Sequence, residues 1–341
     1  MSKKILSDSR ISRRQFGKSM VKSTGILGSA GVALPFFSCI AKKEKLLKED
    51  QKFVVDTHMH VWANDQKRYP VLHPYKPKFS YDDIPSEATT EMLLADMDQN
   101  GVTHSILIQV ISHGWDNSYV VDSIRSYPDH FRGHGLIDPT DPQVAKKLEY
   151  WVKEHGLSGM RFSPIYYVNG NNGGDAWLND TYTDKLWKTA EKLDTVFNFY
   201  ISTQQLPKLE EMVRRHPDVK ICIDHLSQID LSVADPMPEL KKLLAFSNYP
   251  NVWVKVSELT SVSKAPYPFY KFHHWVKTVY EQFGPDRLLW GTGYPGSARS
   301  AYNRPMLSQE LSLIREKMKF VTQEDVEKIL GLNAAKLWKL S

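Results

Sequence analysis

The sequence predicts an α/β chain folded as a (β/α)8 TIM barrel, preceded by an export signal and a short linker. Two observations carry the barrel. From Phe53 onward eight short β-rich runs each precede a helical pattern, and an open doubly wound sheet rarely needs eight. The first run ends in "DTHMHVW" and lacks the glycine-rich turn that a dinucleotide-binding βαβ unit places there. A third observation sets the boundaries: residues 1–39 read as a signal, 40–52 as a linker and 53–341 as the barrel domain. A chain of 341 residues that is 41% hydrophobic, with nine tryptophans, has enough apolar surface for one large core.

The leader comes first. "SRRQFGK" (12–18) pairs Arg13 with Arg14 ahead of a phenylalanine, and the apolar run "STGILGSAGVALPFF" (23–37) follows. That run is too short and too rich in glycine to span a bilayer. The order of basic region, apolar run and small residues resembles a twin-arginine export signal, so the export machinery is an expected partner and the periplasm an expected location. Cys39 stands where a bacterial lipoprotein carries its lipid-acceptor cysteine, and ordinary cleavage nearby is the alternative. A membrane enters this reading only through that anchor. The only other cysteine, Cys222, lies in an apolar strand, so no disulfide can form within the domain.

Strand-like runs then follow at 52–58, 104–110, 131–137, 157–163, 195–202, 219–225, 251–257 and 287–292. Helical patterns occupy 88–100, 116–127, 142–155, 181–194, 206–216, 238–247, 270–283 and 305–318, with two short helices at 322–330 and 333–340. The formal charge of +5 belongs to the leader, which holds +6 over residues 1–38 and leaves 37 basic against 38 acidic residues in the rest. A body that close to neutral gives no reason to expect nucleic-acid binding.

In such barrels chemistry sits at the C-terminal ends of the strands. The first strand ends in His58 and His60, two apart, so both imidazoles point to one side of an extended backbone. That spacing suits two nitrogen ligands of one metal ion; a pair of hydrogen-bonded core histidines is the alternative. His225, at the end of the sixth, is placed to join them across the mouth. Its neighbour Asp224 has the opposite parity and is expected to face the helix layer. Arg161 ends the fourth strand, where a guanidinium suits a carboxylate or carbonyl oxygen, and a structural ion pair is the alternative. Gln109, His113 and Trp115, after the second strand, are expected to contact substrate. The fifth strand end, "YISTQQ", offers no histidine, lysine or cysteine, and the seventh, "KVSELT", offers Ser257 and Glu258.

"DTHMHVW", "LLADMDQNGV", "GMRFSP", "VKICIDHLSQ" and "RLLWGTGYP" occur in this order and together resemble the amidohydrolase-related family, barrel hydrolases and decarboxylases that include sugar-acid lactonases. The resemblance runs from about Phe53 to Leu340. It implies a divalent metal, zinc or else manganese, on His58 and His60 with His225 near it. It also implies a general base on an eighth-strand aspartate, and "WGTGYP" aligns Gly293 with that position. A strand-five histidine is missing as well. The resemblance also covers lactonases that work without a metal, with the histidines polarising the substrate, and decarboxylases; a non-catalytic sugar-binding barrel is the further alternative. If the site is catalytic, Glu258 is the first candidate for the displaced carboxylate, Asp56 the poorer one, and Tyr294 could stabilise an oxyanion. A surface glutamate is the plainer reading of Glu258. The loops at 61–87 and 166–180 bring aromatic residues, Trp62, Tyr166 and Trp177 among them, beside polar amides. Such surfaces suit a carbohydrate-derived small molecule, whose C–H faces stack while its hydroxyls hydrogen-bond.

Overall fold

The computed structural model describes residues 53–63 and 65–341; the signal, the linker and Cys39 lie outside the described residues. Eight parallel strands follow one another in sequence order: β1 Val55–Met59, β2 His104–Ile108, β3 Phe131–Gly135, β4 Gly159–Phe162, β5 Val196–Phe199, β6 Lys220–Ile223, β7 Val252–Ser257 and β8 Leu288–Gly291. The sheet curls round until Gly293 pairs with Met59: the amide of His60 donates to Gly293 O at 2.8 Å and that of Gly293 to His58 O at 2.7 Å. The fold is the (β/α)8 barrel that the alternating runs predict.

The strands alternate because each has two buried faces of different kinds. Met160, Phe162, Phe197, Phe199, Ile221, Val254 and Trp290 face outward into the layer shared with the helices. Residues of the other parity, among them Val55, Ile106, Val196, Cys222 and Leu289, fill the barrel interior, and Ala334, Leu337 and Trp338 close its lower end. The last helical segment, Asn333–Trp338, is thus a plug for the barrel floor, a role its sequence pattern does not reveal. Helix ends follow local chemistry. Thr89 caps Thr90–Asn100 by accepting the Met92 amide at 3.3 Å, and a proline opens Leu206–Arg215 where a missing N–H costs nothing. The run expected as one helix over 305–318 is an α-helix, Leu307–Ser312, continued by a π-helical turn, Leu313–Lys317.

Two irregularities position the site. In β1 the pairing advances from Asp56↔Ser105 to Met59↔Leu107, three residues against two, so a bulge reverses the parity of everything beyond it. After β6, residues His225 to Gln228 all have positive φ, between 50° and 57°, a run uncommon for side-chain-bearing residues.

Candidate active site

The bulge turns His58 and His60 into the barrel and leaves Asp56 outside it. The Asp56 carboxylate accepts from the His58 amide at 3.0 Å and from the amide and hydroxyl of Thr292, with Arg299 close by. Asp56 is therefore not a stand-in base: it clamps the ends of β1 and β8 together. Regular alternation, on which its shared parity with the histidines rests, fails at the bulge.

The parity argument fails at Asp224 for the converse reason. β6 ends at Ile223, so Asp224 continues the inward parity of Cys222, while the left-handed backbone at His225 brings the next side chain to the site as well. Asp224 is wholly buried at the centre of the barrel. Its Oδ1 accepts from Asn198 Nδ2 at 3.0 Å and lies 3.2 Å from Lys255 Nζ; its Oδ2 accepts from Arg161 Nε at 3.2 Å. Burial alone would raise this carboxyl, but Lys255, His58 and Arg161 together hold it well below the usual carboxylate range. Lys255, on the inward face of β7, is also fully buried and donates to Thr57 O at 2.8 Å.

Above this layer opens a cleft of about 620 Å³, lined among others by His60, Arg161, His225, Glu258, Tyr294 and Arg304. Trp62 and Tyr166 line it too, as do Tyr200 and Tyr302. Tyr294 and Tyr302 stack with ring centres 4.0 Å apart and planes 1° apart, and Trp62 meets both edge-on. The Arg161 guanidinium lies 4.5 Å from the centre of the Tyr200 ring.

Glu258 is only 8% exposed, so it is no surface glutamate. Its Oε2 accepts from Arg304 at 2.9 Å, and its Oε1 stands 3.9 Å from His225 Nε2. Gly293, at φ 114°, occupies backbone space that side chains rarely adopt, and a Cβ built on it would point at Glu258 Oε1, 3.2 Å away. A carboxylate from the end of β7 therefore fills the space that an eighth-strand side chain would enter. Burial pushes the Glu258 carboxyl up, but His225, Arg304, His60 and Arg161 outweigh it and hold the group below its ordinary value, so it is a carboxylate at neutral pH.

Four other expected contacts divide. Gln109 is buried behind the wall, its amide donating to Asp116 O and accepting from the Val110 amide at 2.9 Å, which pins the loop after β2. His113 pins the long first loop, with Nδ1 2.9 Å from Pro70 O. Trp177 packs against Phe162 and Tyr167 in the outer core. Trp115 lines a small side pocket shared with Arg161. None of these four lines the main cleft; the same loops reach it through other residues, Ile111 and Ser112 after β2 and Tyr166 after β4. Conversely, Lys255, Asn198 and Arg304 went unread. A lysine amid the apolar run "VWVKVS", in register with Ser257, is the one visible signal for the first.

The imidazoles make a buried cluster, of which His60 and His225 face the cleft. His58 Nε2 lies 3.2 Å from His60 Nε2, and His60 Nδ1 lies 2.8 Å from Ile108 O. His225 Nδ1 is 2.8 Å from Ser257 Oγ. Burial lowers the pKa of all three, His60 to about 3, so they are neutral imidazoles. Ligand atoms of His58, Asp224 and His225 come within 4.8 Å of one another, a possible His/Asp metal group that His60 does not join. The charges around that group do not fit a divalent ion. Lys255, Arg161 and Arg304 already exceed Asp224 and Glu258 by one positive charge, and an ion would add two more in a buried space.

Comparison with known proteins agrees with this architecture. The chain is 25% identical over 245 residues to a 4-sulfomuconolactone hydrolase of Rhizobium radiobacter, covering 71% of this chain and 75% of that protein. It is 27% identical over 259 residues to a 2-pyrone-4,6-dicarboxylate hydrolase of Comamonas testosteroni, covering 71% and 76%. A solved amidohydrolase structure from Burkholderia multivorans, with zinc bound, superposes with a TM-score of 0.65 at 18% identity, over 85% of this chain and all of that one. The sequence profile of the Amidohydrolase family matches residues 55–340, and with nearly the whole described domain inside that match, the chain is a hydrolase of the amidohydrolase family.

Proposed function

We propose that this protein opens the ring of a lactone by adding water, and that Glu258 is the base that takes the proton from that water. The observation that carries the reading is the buried Glu258 carboxylate beside the bare α-carbon of Gly293, fixed by Arg304 at the edge of the cleft. Held ionised, it can accept a proton at neutral pH. The Arg161 guanidinium, fixed at Nε by Asp224, keeps its remaining N–H groups for the substrate carbonyl oxygen. Water attacks the carbonyl carbon and Glu258 takes its proton. Charge gathers on the carbonyl oxygen facing Arg161; the ring C–O bond then breaks, and the proton on Glu258 passes to the departing ring oxygen. The net change is one water added and one hydroxy acid formed. No step uses a metal, since the charges at the centre of the site do not fit one.

The finer reading is a sugar-acid lactone, supported by the flat wall of Tyr294, Tyr302 and Trp62 and by the polar side chains Lys76 and Asp83 at the rim. The leader supports action outside the cytoplasm; a reporter fused to residues 1–52 should be exported, and lose export when Arg13 and Arg14 become lysine. Function is tested with a panel of aldonolactones, unsaturated lactones bearing carboxylates, and aromatic acids, followed by proton release and by carbon dioxide release. Turnover of an aldonolactone is the expected result. Turnover of the carboxylated lactones alone would keep the hydrolase and replace the sugar. Carbon dioxide release would make it a decarboxylase, and tight binding without turnover would overturn catalysis altogether.

A further inference from the structure

We propose that Lys255 acts as a resident cation of the barrel: it fixes the tautomer of His58 and thereby closes the His58–His60 pair to a divalent metal. The argument is a proton count at one buried cluster and does not depend on the substrate.

The count begins at His60. Its Nδ1 faces the carbonyl of Ile108 at 2.8 Å, and only an N–H can face a carbonyl, so Nδ1 carries the proton and Nε2 is a lone pair. The atom 3.2 Å from that lone pair is His58 Nε2, which must therefore be the donor. His58 Nδ1 is then a lone pair, and the group facing it is the Lys255 ammonium at 3.3 Å. Lys255 has three N–H groups and three acceptors around it: Thr57 O at 2.8 Å, Asp224 Oδ1 at 3.2 Å and His58 Nδ1. Every proton in the chain from Lys255 through His58 and His60 to Ile108 has one acceptor.

A metal ion on the same pair needs the opposite assignment. Both Nε2 atoms must be bare, so His58 would carry its proton on Nδ1 and donate it to Asp224 Oδ1, 3.5 Å away. That proton would then point into the neighbourhood of a buried ammonium, with no solvent between them. A doubly protonated His58 meets the same repulsion. Lys255 is thus a positioning residue that selects between two hydrogen-bonding states of one histidine pair, and in the selected state His60 Nε2 is already engaged by His58.

The prediction is read on the full domain without any substrate. Zinc chloride titrated into the wild-type protein should bind no more tightly than to the His58→Ala variant, whereas Lys255→Met, which keeps the bulk and removes the charge, should bind zinc ~10–100-fold more tightly. In histidine-labelled wild-type protein, the nitrogen spectrum should show His58 unprotonated at Nδ1 and protonated at Nε2, assigned from the resonances lost in His58→Ala; in Lys255→Met the two should exchange. Stoichiometric zinc in the wild type that disappears in His58→Ala would overturn the proposal, as would a proton on His58 Nδ1. Should Lys255→Met not fold, the wild-type spectrum alone still decides.

Discussion

The two halves of the barrel interior are lined by inward-facing residues of one sheet, and they hold opposite chemistry. The lower half, around Val55, Ile106, Ile108, Val196, Cys222 and Leu289, is apolar and closed by Leu337 and Trp338. Cys222 shows how dry it is: burial pushes its thiol up to about 12. Further along the strands, the upper half holds Arg161, Asn198, Asp224, Lys255 and His58, all buried and interlocked. An apolar floor anchors the strands without regard to orientation, whereas charges buried above it persist only when each has a partner at hydrogen-bond distance. The lower half therefore carries stability and the upper half carries direction.

The comparison predicts that substitutions in the two halves separate into loss of rate and loss of stability. The largest effect is expected for Glu258→Gln, which keeps the bulk and removes the base: kcat should fall by ~10²–10⁴-fold with little change in KM. An unchanged kcat would remove Glu258 from the mechanism. Leu289→Ala, in the floor, should destabilise the domain by about 2–5 kcal/mol in urea unfolding while leaving kcat intact. A fall in kcat there would mean that the two halves are mechanically one.

Gly293→Ala should combine both effects on a smaller scale. Its Cβ would sit 3.2 Å from Glu258 Oε1 at a φ of 114°, so ~1–3 kcal/mol of stability should be lost along with activity. A gain in activity would show that the space is spare. Glu310 tests the wall behind the mouth. Burial, opposed by Arg299, raises its carboxyl from 4.5 to about 8. Above the unfolded value the unfolded chain gives up this proton and the native one keeps it, so stability falls as pH rises from about 4.5 to 8, by at most about 1.4 kcal/mol per pH unit. Glu310→Gln should flatten that slope in unfolding curves taken across the window. The smallest effect is expected for Trp177→Phe: the indole packs outside the cleft and its N–H has no partner, so KM should not move.

Most of the fold was legible because alternation of short strands and amphipathic helices is a local pattern, repeated eight times. The candidate site was legible where one residue type is rare enough to speak, as at His58, His60 and His225, or where an expected one is missing, as at Gly293. Gln109, His113 and Trp177 misled because a loop residue near a strand end can turn to the cleft or to the wall, and nothing local distinguishes the two. Asp224 and Asp56 misled through parity: a single bulge and one left-handed residue each reverse a face, and neither leaves a mark in composition.

By itself, then, the sequence determined the strand count, the histidine pair and the vacancy at the eighth strand, because each depends on residue type and spacing along the chain. Only the tertiary structure decided which carboxylate fills that vacancy and which cation sits among the histidines. Glu258 meets Gly293 between the ends of neighbouring strands, and Lys255 meets His58 across the barrel interior from 197 residues away, and both contacts are fixed by register and packing rather than by any neighbour in sequence.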